Sequence, residues 1–80
     1  MSKHEILSLY TWTAGACFRH PADGVMETAV VRELHPRSGP AKTVRACERC
    51  VLSMETEREQ MARELGYDYE PGHAGAPFPP

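Results

Sequence analysis

Two short steps constrain this chain more than anything else in it: Cys17-Phe18-Arg19-His20, and Cys47-Glu48-Arg49-Cys50 further along. A closed structural metal site takes four thiolate or imidazole ligands, and a Cys-x-x-Cys or Cys-x-x-His step lets one short segment supply two of them. Two such steps far apart in sequence then clamp distant parts of the chain around one ion. The expected site is a single tetrahedral zinc held by Cys17, His20, Cys47 and Cys50. Cys47 and Cys50 open a long helical stretch, where residues three apart share a face. The positive end of the helix dipole there favours the thiolate form. Cys17 and His20 lie between Gly15 and Pro21, a tight-turn setting suited to a metal knuckle.

Other chemistry uses the same residues. A Cys-x-x-Cys pair can be a redox dithiol, but such pairs sit in βαβ surroundings that this pattern lacks. Reduced cysteines can also be plain core residues. The count of three cysteines is odd, which fits a Cys₃His metal site better than a disulfide framework. His35, on the predicted hairpin, is the other candidate for fourth ligand; His4 and His73 fall in ends expected to be flexible.

With 80 residues there is room for one domain. Hydrophobic residues make up 41% of the chain, several of them in Pro- and Gly-rich stretches, so the usable core is small and a metal staple has work to do. The first nine residues are too polar for a signal peptide, and no apolar run approaches membrane-spanning length. With unpaired thiols, this leads to an expected cytoplasmic location. Arginine outnumbers lysine and Ala, Gly and Pro are frequent, the composition of a GC-rich bacterial genome.

Along the chain, residues 1–5 are expected to be flexible, and 6–13 (I-L-S-L-Y-T-W-T) to form a strand with Trp12 in the core. After the knuckle, with Phe18 and Arg19 at its tip, Ala22-Asp23-Gly24 signals a turn. Residues 25–35 read as a strand, with Met26, Thr28, Val30, Arg32 and Leu34 on one face; neither face is cleanly apolar. A loop at 36–40 and a strand at 42–46 complete a hairpin. A helix is predicted over 47–65 with Gly66 as its C-cap. Its apolar stripe of Cys50, Val51, Met54, Met61, Ala62 and Leu65 is interrupted by the polar run 55–60. About 28 Å long, such a helix overhangs a small core, so its second half needs a partner: the N-terminal strand or another chain. Residues 67–80, with four prolines and two glycines, are expected to be a disordered tail, leaving 6–66 as the zinc-binding domain.

Knuckle, hairpin, then a helix carrying the second ligand pair in its first turn: that order resembles the treble-clef class of zinc fingers over residues 14–65. The resemblance implies a small α+β domain in which structural zinc joins knuckle to helix, and it carries the ligand role to Cys17, His20, Cys47 and Cys50. His20-Pro21 stands where Cys-Gly is more usual, and the spacer to Cys47 is longer than in compact members such as the GATA fingers.

Charge is uneven. Residues 32–49 are net +3, through Arg32, Arg37, Lys42, Arg45 and Arg49 against Glu33 and Glu48; residues 51–80 are net −4. The basic stretch is a candidate nucleic-acid or partner contact. Met54, Met61 and Leu65 are a candidate helix interface for a protein partner or self-association, methionine suiting adaptable surfaces. The expected role is a non-enzymatic protein-interaction adaptor or regulator, with a nucleic-acid-binding finger as the alternative and no membrane partner. Treble-clef nucleases use a catalytic histidine with an Asn or second His; His35 has no such companion, and four protein ligands leave no water position on zinc.

Overall fold

The structure, a computed structural model, describes residues 2–76. A five-residue helix, α1 (Lys3–Leu7), leads into strand β1 (Trp12–Ala16). A single 3₁₀ turn (Pro21–Asp23) precedes the long strand β2 (Val25–Leu34), which pairs back with β3 (Lys42–Cys47). The helix α2 (Glu48–Leu65) follows at once. The three strands form one antiparallel sheet in the order β1-β2-β3, so the chain is a small α+β fold.

Three expectations are corrected. Of residues 6–13, expected to be a strand, only Trp12 and Thr13 are in one: Ser2 caps α1 by accepting from the Glu5 N–H, and Ser2-x-x-Glu5 is the sequence signature of a helix start. Pairing begins only at Trp12, whose indole N–H donates to the Leu7 carbonyl at 2.9 Å and closes the connection. The same cap places residues 2–5, of the 1–5 expected to be flexible, at the start of α1, and Met1 lies outside the described residues.

The second correction concerns β2. Val30 pairs with Arg45 and Arg32 with Val44, leaving Val31 as a bulge. One extra residue moves every later side chain to the other face. Arg32 and Leu34 therefore share a face with Val44 and Lys42 and part from Thr28 and Val30. That is why neither face of 25–35 read as apolar.

The third is the tail. Residues 67–76 fold back over the molecule as a strap. Tyr69 Oη donates to Glu55, the Gly72 N–H donates to the same carboxylate at 3.2 Å, and the Ala74 N–H donates to Tyr10 Oη at 2.9 Å. Arg58 donates to the Ala76 carbonyl, and Ala74 is buried. Pro and Gly content alone suggested disorder; polar anchors on a buried carboxylate order the segment instead. Residues 77–80 of the expected tail lie outside the described residues.

The core is thin. Cys17, Ala46, Cys47, Cys50 and Val51 form its buried centre, flanked by Leu7, Tyr10, Trp12, Met26, Val31 and Met54. Small residues at Ala29 and Ala46 let α2 lie close on the sheet. Beyond Met54, the helix buries only Glu55 and Ala62. The predicted partner for its second half is thus supplied by α1 and the strap rather than by a strand, while Met61 and Leu65 stay about half exposed at 46% and 57%.

Gly66 ends α2 in the left-handed region at φ 78°, its N–H donating to the Ala62 carbonyl. No atom lies within 4 Å of where a Cβ would stand, so a substitution there meets only backbone strain. Gly66→Ala should therefore cost about 1 kcal/mol, read as a lower denaturant midpoint at unchanged slope.

Candidate metal centre

β1 ends at Ala16 and delivers Cys17 directly into a tight turn. The Phe18 N–H donates to the Arg45 carbonyl at 2.8 Å, fixing the turn to β3, and the His20 N–H donates back to the Cys17 carbonyl at 3.3 Å. Pro21 then starts the 3₁₀ turn, with His20 at its N-cap. On the other side, Cys47 is both the last residue of β3 and the N-cap of α2. Its side chain makes no capping hydrogen bond and is free to serve as a ligand. Cys50 lies one turn on, over the same helix end.

These elements bring Cys17, His20, Cys47 and Cys50 together with all four ligand atoms within 4.8 Å of one another. His20 Nε2 is 3.2 Å from Cys47 Sγ and 3.4 Å from Cys50 Sγ. A sulfur and a nitrogen sharing one tetrahedral zinc would be about 3.6 Å apart, and two sulfurs about 3.8 Å. The four donors thus stand within about 1 Å of the edges of such a tetrahedron. All three cysteines are buried and none is in a disulfide. The set is compatible with one bound metal ion.

The surroundings also fit a cation. Asp23 Oδ2 lies 3.1 Å from His20 Nδ1, off the line a hydrogen bond would take. A proton on Nδ1 would face this carboxylate and leave Nε2 free to ligate, a placement related to the carboxylate–histidine pairs found at metal sites, here without the hydrogen bond formed. Burial alone would push the Cys17 thiol up. The backbone N–H groups of Cys47 and Arg19, with donation from the Cys50 and Cys47 thiols, bring it down to about 7. Burial and its bonds to Cys17 and Cys47, reinforced by their negative charge, push Cys50 up to about 12. Without a cation three thiols cannot all ionise in one small space; a divalent ion removes that conflict.

The remaining predicted residues fall elsewhere. His35 is 71% exposed, 3.9 Å from the Glu33 carboxylate and outside the cluster. His4 is on α1 and His73 in the strap, both exposed. The five basic residues do not make one face. Lys42 and Arg45 point to opposite sides of β3, and the bulge puts Arg32 with Lys42. Arg45 lies over Gly15, where a Cβ would meet its Cδ, and donates to Thr13 Oγ1 at 2.5 Å. Arg37 is in the exposed hairpin loop and Arg49 is exposed in the first turn of α2. At the knuckle tip, Phe18 is exposed as expected. Arg19 turns back onto α2, 3.2 Å from Glu57 and within reach of Ser53. Met54 packs on the core.

Sequence reasoning missed Asp23 and the buried Glu55. The first had a readable signal, an acid three residues after a candidate ligand. The second sat inside a run that looked uniformly polar.

Compared with protein-family models, curated proteins and solved structures, the chain matches none. No helix among the described residues is long and apolar enough to cross a membrane.

Because metal must displace protons from these thiols, binding should weaken as pH falls. Cys50, near 12 without metal, loses a whole proton on binding at neutral pH, and Cys17, near 7, about half of one. Apparent zinc affinity should then drop more than tenfold per unit below about pH 7, measurable by chelator competition. Asp23→Ala should lower zinc affinity about tenfold in the same assay, the low end for second-shell loss because Asp23 is largely exposed.

Proposed function

We propose that this chain is a non-enzymatic domain of treble-clef type that binds one structural zinc ion and works as a protein-interaction adaptor or regulator. The observation that carries the reading is the convergence of three buried cysteines and His20 from the knuckle and the start of α2. Zinc suits three thiolates and an imidazole in a tetrahedral set. Four protein donors fill the coordination sphere, which leaves no position for a catalytic water, so the ion acts as scaffold.

What the scaffold presents supports protein contact over nucleic acid. Phe18, Leu34, Met61 and Leu65 are large apolar side chains left exposed. The basic residues, in contrast, are divided between two faces of the sheet, and α2 beyond Cys50 is acidic. A duplex-binding face would instead gather its cations along one stripe.

Native mass spectrometry should find one zinc per chain, and chelation should remove it together with the dispersed amide spectrum. His20→Ala should lower zinc affinity at least a hundredfold, and His35→Ala should leave it unchanged. A metal-free native chain, or equal loss from both variants, would contradict the assignment.

A further inference from the structure

Beside the knuckle tip is a cleft of about 360 Å³ built jointly by the knuckle, the hairpin, α2 and the strap. Phe18 comes from the knuckle, Met54 from α2, and Val31, Leu34 and Val44 from the hairpin. Ala74 and Gly75 of the strap close the remaining side. The strap approaches β2 so closely that a Cβ on Gly75 would collide with the Val31 carbonyl.

The cleft is apolar but its border is cationic. Arg32 lines it, and Lys42 stands next along the same face, opposite Leu34. Both are exposed, and neither has an ion-pair or hydrogen-bond partner among the described residues. Glu33, the nearest acid in sequence, alternates to the opposite face with Thr43. An apolar slot rimmed by unpaired cations complements a side chain of opposite pattern: a hydrophobic anchor flanked by carboxylates.

We infer that this cleft is the adaptor's docking site and that it takes an acidic peptide segment of a partner protein, anchored by one large apolar side chain. The inference rests on the adaptor reading above and adds the partner's chemistry to it. The volume has room to spare for one aromatic or branched aliphatic side chain. The strap and the knuckle make the site depend on both ends of the molecule: losing the metal frees Phe18, and displacing the strap removes the wall.

The test uses the zinc-loaded full chain, isotope-labelled, and three probes: an eight-residue peptide with a central Leu-Phe flanked by glutamates, the same peptide with lysines, and a random DNA duplex. Binding of the acidic peptide should shift the amides of Phe18, Leu34, Val44 and Gly75, at least tenfold more tightly than the lysine peptide. Arg32→Glu with Lys42→Glu should weaken it at least tenfold and reverse the preference. Gly75→Val should weaken it while the zinc-site amides stay in place; Leu34→Ala, on the exposed hairpin, provides a milder check. Equal affinity for the two peptides, or shifts that map away from the cleft, would overturn the inference and leave the adaptor reading standing. Salt-sensitive duplex binding through Arg32 and Lys42, with neither peptide bound, would sink both.

Discussion

Everything in this structure depends on three sulfurs and one imidazole meeting at a point between β1 and α2. The reason is the poverty of the rest of the interior. The largest fully buried side chains are Glu55, Val51, Thr28 and Cys17, and of these only Val51 is a hydrocarbon. A chain of this size recovers too little from apolar burial to offset its ordering entropy by a comfortable margin. Here three of the four candidate ligands, the cysteines, occupy the centre of the core. A bound cation would turn four costly, mutually repelling donors into the strongest link in the fold, tying the end of β1 to the start of α2.

A second link sits further along the same helix. Glu55, only 2% exposed, accepts from Tyr10 Oη at 2.5 Å, from Tyr69 and from the Gly72 N–H. A buried carboxylate is tolerable only when its lone pairs are taken, and these donors take them. Burial, then hydrogen bonding to Glu55, holds both tyrosine hydroxyls protonated well above their ordinary range. The helix is thus held at its N-terminal end by the ligand cluster and at its middle by a polar clasp. The clasp reaches both the chain entering β1 and the strap over β2. Between those two points lies the cleft, one wall set by each.

How much of this could be read beforehand follows from what each element rests on. The ligand pairs, the hairpin and the helix up to Gly66 were legible because spacing, alternation and a left-handed C-cap are local properties. The N-terminal segment misled because Ile6 to Trp12 is rich in strand formers, whereas its conformation is decided by Ser2 and Glu5 at one end and by the Trp12 indole at the other. The bulge at Val31 leaves no mark in composition, yet it decides which cations stand beside which apolar residues. Glu55 and Tyr69 each looked like surface. Their pairing is a tertiary fact, and only the aromatic residues of a Pro- and Gly-rich stretch hinted that it had something to hold.

The most direct test is the coordination shell itself. Zinc K-edge X-ray absorption on the protein as purified should give three sulfur neighbours at about 2.3 Å and one nitrogen at about 2.0 to 2.1 Å, four ligands in all. A shell dominated by oxygen, a water in place of the imidazole, or two sulfurs joined in a disulfide would contradict the account at its root.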